Sequence, residues 1–494
     1  MRKVKIFSIF TSIILLCGAF STGITAHAAF TPKVDLHSEG VYMVEMETNT
    51  VVVAKNENVQ LIPASTTKIM TALVALENIK DFNQTVKITY DAMNEFSMSD
   101  PNYQGASTSA LEVGQTNVTF NDCLYALMVS SGCEAGNVLA LNLAGSIQEF
   151  VDMMNAKAAE IGCTNTHFAN THGLYNPDNY TSAKDLYLIT RYAIDNYPGF
   201  MKICDTKYYD MPANDQNPSG YTMSTTNKLM LDGDFYYEGV HGVKTGSIDE
   251  YYEYKNGSWD MENPKEGVMA LVSTATAKGS DGRGYHYIVV TLGAPYHNAD
   301  GQRSYNSFKD HVALYNWAYS ELVYTNIVAS NETIAQTEVY QGKNVDKVGV
   351  CAAADFSTLL EKSLNKTTVS QQINWFEDRR PVQAPQNKGY QVGELQLMLD
   401  GEVISTIPLE IENNIDIDTT AFYMEKIKQV MDNPLFAWVC VLVGLEIIML
   451  IVSHYVKASY RRKVADMNRR RRKKVEDRTR RRRISMNPPR KNRR

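Results

Sequence analysis

The chain is poor in the residues that bind metals and form cross-links. Its 494 residues include nine His, seven Cys and four Trp. Five of the cysteines, Cys123, Cys133, Cys163, Cys204 and Cys351, are scattered between the two ends of the chain, an odd number without clustering, and so imply no disulfide framework. The few histidines do not pair with them at zinc spacing, so the reading contains no metal and no cofactor. Evenly mixed charge is also missing. Residues 457–494 carry 19 Lys+Arg against 3 acidic residues, a net of +16; taking that and the +3 of residues 1–28 from the whole-chain −6 leaves −25 for residues 29–456. An acidic body of that size favours solubility and argues against a polyanion-binding ectodomain.

Long apolar runs are confined to the two ends. Arg2, Lys3 and Lys5 precede an apolar stretch from Ile6 to Phe20, and Ala26-His27-Ala28 follows before Ala29, the pattern of a cleaved secretory signal over residues 1–28. Cys17 is not read as a lipid attachment site, because Leu16 before it is too large. The second run, Pro434 to Val456, is long enough to cross about 30 Å of hydrocarbon as a helix. It reads as a single transmembrane helix over 434–456. Glu446 favours the alternative of an amphipathic surface helix, since a carboxylate at mid-membrane is costly, but the run is otherwise apolar on all faces. Positive charge marks the cytoplasmic side, so the tail 457–494 is expected there, in contact with anionic lipid headgroups. Basic runs also suit RNA or a partner protein. Directly after a membrane span, orientation and lipid contact are the simpler explanation, and no nucleic acid is expected.

About 400 residues outside the membrane are too many for one ordinary core, so two domains are expected. Up to Leu322 strands and helices mix; after Ser330 short strand-like stretches dominate, including 394–399 and 402–407 around an Asp400-Gly401 turn. The division is then 29–326, a small β-rich domain at 327–412, and a polar linker at 413–433. In the first domain Val41–Met46 and Val51–Lys55 form a hairpin pattern, and Ile69–Leu76 reads as a buried helix. Asn121–Leu143 reads as one helix containing Ser131 and capped by Asn121 or Thr119. Ala270–Ala277 and Tyr285–Gly293 read as strands around the turn 278–282. The class is α+β: an antiparallel sheet with helices packed on it.

Three short motifs carry the chemistry: Ser65-Thr66-Thr67-Lys68, Ser131-Gly132-Cys133 and Lys244-Thr245-Gly246. Alone, Ser65 reads as a helix cap and Lys244 as an exposed lysine. Together they supply complementary roles. A serine hydroxyl needs a base to become a nucleophile, and Lys68, three residues on and on the same helical face, serves if burial or a neighbouring cation such as Lys244 keeps it neutral. Ser131 would relay the proton to the leaving group. Lys244 brings charge and Thr245 a hydroxyl for a substrate carboxylate, while Gly246 permits close backbone approach. The backbone N–H of Ser247 pairs with that of Ser65 to stabilise an oxyanion.

With these motifs the chain resembles the D-alanyl-D-alanine carboxypeptidases, the low-molecular-mass penicillin-binding proteins. Further family-like stretches are Pro63–Thr71, Leu127–Gly132, Asn165–Phe168 leading to His172-Gly173-Leu174, Gly242–Gly246, and in the second domain Ala384-Pro385, Gly389–Gly393 and Ile407–Leu409. The resemblance spans about residues 36 to 411. It implies a penicillin-binding/β-lactamase-like peptidase domain with a helical subdomain, and a serine peptidase that removes the terminal D-alanine from peptidoglycan stem peptides through an acyl-enzyme. It also implies acylation by β-lactams. The expected location is the outer face of the cytoplasmic membrane. A β-lactamase and a weakly catalytic wall-peptide sensor or scaffold are the alternatives.

Three features depart from the family pattern. Cys133 stands where Asn is usual; a thiol is a weak donor and acceptor, so it either sits in the substrate-binding cleft with altered rate or specificity or simply packs, with Asn137 one turn on as a partial substitute. Ile248–Gly267, with Tyr251-Tyr252-Glu253-Tyr254 and Trp259, is an insertion that forms either an aromatic wall beside the site or an exposed flap. The third is the spanning anchor with its basic tail, where the family commonly ends in an amphipathic helix.

Overall fold

A computed structural model describes residues 30–485 apart from 95, 97–99, 256, 331 and 400. The expected signal segment and Asp400 of the expected turn lie outside the described residues.

Strands β1 (Gly40–Glu45), β2 (Thr50–Lys55), β3 (Val240–Tyr251), β4 (Lys265–Lys278) and β5 (Gly284–Pro295) form a five-stranded sheet in the order β2-β1-β5-β4-β3. Every neighbouring pair is antiparallel. The expected hairpins 41–55 and 270–293 are thus both present and sit side by side through the β1 and β5 register, Val41 opposite Thr291. Both faces of the sheet are covered. Tyr42, Val44, Val272, Ile288 and Val290 join a core with the helices on one side; Val41, Met43, Leu271, Tyr287 and Val289 join a second core on the other. Burial on both faces is why these strands read as continuous apolar runs and not as an alternating pattern.

The larger core holds α1 (Lys68–Asn78), α2 (Phe120–Met128), α3 (Cys133–Ala144), α4 (Ile147–Ile161) and α5 (Ala183–Asn196). The second core is closed by α6 (Asn306–Glu321), which contributes Leu314, Tyr315, Trp317 and Ala318. Nine consecutive residues of α1, from Lys68 to Leu76, are buried, so this helix runs through the core instead of lying on it. Apolar side chains all round a helix demand such a position.

The single helix expected over 121–143 is two helices. Thr119 caps α2 by a capping box, its side chain bonding the Asp122 N–H while Asp122 accepts from the Thr119 N–H at 2.7 Å. The helix ends at Met128, and α3 starts at Cys133 with Gly132 as its cap. Between them Ser131 adopts φ +66°, a left-handed conformation that no helix interior tolerates. Apolar periodicity continues across the break, which is why the pattern alone reads as one element.

Further along, β6 (Leu322–Val328) pairs antiparallel with β9 (Phe356–Glu361), and β7 (Thr333–Tyr340) with β8 (Lys347–Ala352). The expected strands of 394–407 are β10 (Gln391–Leu399) and β11 (Glu402–Ile411), flanking Gly401 at φ +87°. The expected polar linker 413–433 contains α7 (Thr419–Met431), capped by Asp418. Pro434–Ser485 is one continuous helix, α8, whose apolar half has mean hydropathy 2.8 and runs on without interruption into the basic sequence.

Removal of the α2 cap is the cleanest test of this local folding. Thr119→Ala should lower stability by about 1 kcal/mol, read as a shift of the urea midpoint with unchanged slope.

Candidate active site

Three backbone segments converge. The first is the 3-10 turn Ala64–Thr67 that leads into α1; Ala64 has φ +48° and Thr66 donates its N–H and its hydroxyl to Pro63 O (3.2 and 2.6 Å). The turn presents Ser65, which is partly exposed, while Lys68 starts the helix and is fully buried. Lys68 Nζ donates to Ser65 Oγ at 2.9 Å and to the carbonyl oxygen of His172 at 2.6 Å, and lies 3.5 Å from Cys133 Sγ. Desolvation pushes its pKa below the ordinary lysine value, against an opposing pull from Cys133 and Glu134.

The break between α2 and α3 is the second segment. Gly132 N–H donates to Ala126 O (2.9 Å) and Cys133 N–H to Ser107 O (2.8 Å), so the turn bearing Ser131 is held at both ends. Cys133 is 1% exposed and its thiol sits between Lys68 Nζ and the carbonyl oxygen of Ser131 (4.0 Å). It points at the lysine instead of packing in apolar surroundings alone. Burial raises the thiol's pKa, which keeps it neutral. Asn137 does not substitute for it: its side chain accepts from Thr171 Oγ1 (2.6 Å) and donates to Ala92 O (3.3 Å).

The third segment is β3 at the sheet edge, bearing Lys244, Thr245, Gly246 and Ser247 in register with Val272, Leu271, Ala270 and Met269 of β4. A side chain at Gly246 would lie 2.9 Å from Pro63 O and 3.1 Å from the Ser65 nitrogen, so only glycine lets this strand approach the Ser65 turn. Gly173 serves the same turn from the other side. It has φ +83°, and a Cβ there would lie 1.9 Å from Ala64 O. Lys244 is 1% exposed and donates to Thr245 O (3.0 Å); burial, reinforced by the charge on Lys68, holds its pKa well below the usual lysine value.

Ser65, Ser131, Thr245, Gly246 and Ser247 line one cavity of about 190 Å³. Its lining also includes Ser107, Thr226, Lys228 and Arg303, none of which sequence reasoning found. Thr226 Oγ1 lies 2.6 Å from Thr245 Oγ1, and Asn227 Nδ2 bonds Gly242 O (2.8 Å), which fastens this segment to β3. Lys228 and Arg303 both lie over the Tyr305 ring, at 5.1 and 5.0 Å. The cations facing the cavity are therefore Lys228 and Arg303, while Lys244 lies beneath its wall. Such isolated residues carry no motif, and only the fold brings them in. Glu134, next to Cys133, was also missed. It is buried, accepts from the Ser109 N–H (2.5 Å) and hydroxyl (2.8 Å), and burial raises its pKa.

A buried amine hydrogen-bonded to a serine hydroxyl at a cationic, hydroxyl-lined cavity is suited to acyl transfer onto serine. Comparisons with known proteins agree. Residues 25–251 match the family model described as D-alanyl-D-alanine carboxypeptidase, and residues 324–416 match that of the penicillin-binding protein 5 C-terminal domain. Over 260 residues the chain is 32% identical to a D-alanyl-D-alanine carboxypeptidase of Streptomyces sp. (strain K15), covering 51% of this chain and 84% of that one. The chain belongs to the D-alanyl-D-alanine carboxypeptidase family. It is also 28% identical over 378 residues to the carboxypeptidase DacF of Bacillus subtilis, covering 76% of this chain and 86% of the relative. In fold it is similar to the DacD carboxypeptidase of Francisella tularensis, with a TM-score of 0.57 at 24% identity over 79% of this chain and 96% of that one. Penicillin binding protein 5 of Haemophilus influenzae gives 0.53 at 24% identity, covering 78% and 99%. The expected fold, a sheet-and-helix peptidase domain and a β-rich domain, is that of this family, and the chain adds one long apolar helix after them.

Proposed function

We infer that this family member is a serine-type D-alanyl-D-alanine carboxypeptidase that removes the terminal D-alanine of peptidoglycan stem pentapeptides. The observation that carries the reading is the 2.9 Å contact between Lys68 Nζ and Ser65 Oγ, made by an amine that burial disposes to be neutral. Neutral Lys68 takes the Ser65 proton as Oγ attacks the carbonyl carbon of the penultimate D-alanine. The backbone N–H groups of Ser65 and Ser247 stabilise the oxyanion. Collapse of the tetrahedral intermediate expels D-alanine, whose amine takes a proton relayed from Lys68 through Ser131. Water, deprotonated in turn by Lys68, releases the shortened peptide and restores Ser65.

The substrate's terminal carboxylate is bound by Thr245 with Thr226, under the charge of Lys228 and Arg303 and over the buried Lys244. Cys133 stays in the site as a neutral neighbour of Lys68, a weaker partner than an amide oxygen. β-Lactams would acylate the same Ser65. The apolar half of α8 crosses the membrane, with the catalytic body outside and the basic half in the cytoplasm beside anionic headgroups. Its run from Pro434 to Val456 is roughly 34 Å at helical rise, enough for the hydrocarbon layer.

Three tests follow from this reading. Incubation with a pentapeptide should release D-alanine, and penicillin should add its mass to Ser65; Ser65→Ala should abolish both, whereas an unaltered mass for the folded wild type would refute the mechanism. Because the productive lysine is neutral and its pKa is lowered, acylation should rise with pH and level off below the ordinary lysine value of 10.5. A rate that still climbs through that value would refute the buried base. For topology, protease added outside intact cells should digest the body and spare a fragment containing 457–494. Digestion of that tail from outside would reverse the orientation.

A further inference from the structure

The inserted segment begins in the last residues of β3 and makes specific contacts with its neighbours. Its first two aromatic residues grip two loops that meet at His172, the residue whose carbonyl accepts the shorter of the two oxygen-directed bonds from Lys68 Nζ. Tyr251 lays its ring on Tyr175 with centroids 4.2 Å apart, three residues beyond His172. Tyr252 exchanges two backbone bonds with the side chain of Asn102: its N–H donates to Oδ1 at 2.7 Å and its carbonyl accepts from Nδ2 at 3.1 Å. An asparagine that donates to and accepts from one peptide unit's neighbourhood acts like a short strand, and this one is 8% exposed. Beside it, Tyr103 sets its ring edge to face on the His172 imidazole at 5.5 Å, and Phe96 does the same at 5.2 Å. Two independent ties thus run from the end of β3 to the same loop, one direct and one through Asn102 and Tyr103.

We propose that Tyr251 and Asn102 are positioning residues, which use the inserted segment to hold the His172 carbonyl on Lys68 and thereby set how fast Ser65 is acylated. Neither touches the reacting atoms. Lys68 is a long flexible chain with a strong helical anchor at one end only, so the direction of its amine depends on its acceptors. The His172 backbone has no regular secondary structure to hold it. The loop is held at Asn170, whose Oδ1 accepts from the N–H groups of His172 (3.3 Å) and Gly173 (2.6 Å), at Thr171, whose carbonyl accepts from Thr71 Oγ1 (2.7 Å) and whose hydroxyl donates to Asn137 Oδ1 (2.6 Å), and at His172 and Tyr175 by the aromatic contacts just described. Loosening the loop frees the carbonyl, and a reacting group displaced by about 1 Å loses on the order of a hundredfold in rate. The ionisable groups around the Lys68 amine are Cys133 and Glu134 from α3, Lys244 from β3 and His172 itself. All remain in place in the variants below, so a change in the Lys68 titration reports the lost carbonyl.

The inference rests on Lys68 as the base, and the test separates the two. In the full-length protein in detergent, the second-order rate of acylation by a fluorescent penicillin is measured against pH for the wild type, Tyr251→Ala, Tyr251→Phe and Asn102→Ala, with thermal melts of each. Tyr251→Ala and Asn102→Ala should each slow acylation about tenfold, and the acid limb of the profile should move to lower pH because the ammonium loses an acceptor. Tyr251→Phe keeps the ring stack and should stay within about twofold of wild type. Rates and limbs of both alanine variants equal to wild type would overturn the proposal. So would slowing that tracks the loss of folded protein in the melts with an unmoved limb. A wild type that is not acylated at all would instead defeat the reading of the site.

Discussion

The site depends on one constraint: an amine must sit in the protein core with no counter-ion at bonding distance among the described residues. Lys68 opens a helix buried along most of its length, so its amine cannot reach bulk water, and the fold supplies acceptors in place of a carboxylate. A carboxylate there would favour the charged state of the amine. Neutral oxygen acceptors and a thiol satisfy the amine's donors while leaving burial to favour the neutral form. Glu134, a carboxylate whose charge acts on Lys68, is itself pushed toward neutrality by burial and engaged by Ser109. The electrostatic design is therefore subtractive, with charge kept low around the buried amine.

Close backbone packing is the second requirement, and it explains which positions are glycine. The Ser65 turn is pressed by β3 at Gly246 and by the His172 loop at Gly173, and at both places a Cβ would meet the backbone of that turn. These contacts put hydroxyls, a strand edge and the lysine around one cavity without any of them lying close in sequence. Strained backbone conformations at Ala64 and Ser131 belong to the same arrangement, since each turns a side chain toward the cavity from the end of a helix.

Much of this was legible from sequence because the chemistry sits in short contiguous motifs. Ser65 and Lys68 are separated by one helical turn, and Lys244 to Ser247 lie on one strand, so local rules suffice to place them. The sheet hairpins were legible through their turns. What escaped were contacts made by tertiary approach alone. Lys228 and Arg303 reach the cavity from segments 75 residues apart that share only the Tyr305 ring. The carbonyl of His172 has no residue-type signature at all. The break at Ser131 was hidden because the helices on either side bury similar apolar faces, and a left-handed serine leaves no mark in hydrophobic periodicity.

Cys133 shows how far a motif can be stretched while its geometry holds. The thiol occupies the place nearest Lys68 on α3 at 3.5 Å, a distance ordinary for sulfur, whose larger radius partly fills the space an amide would take. The turn beside it is held by the N–H groups of Gly132 and Cys133, which donate to Ala126 O and Ser107 O, and by Glu134, which accepts from Ser109, so these bonds are made without the thiol. Position 133 can therefore change its chemistry without moving the turn that carries Ser131. At the other end of the cleft the inserted segment extends the pairing of β3 and β4 beyond Thr245 as far as Tyr251 and adds contacts with Asn102 and Tyr175.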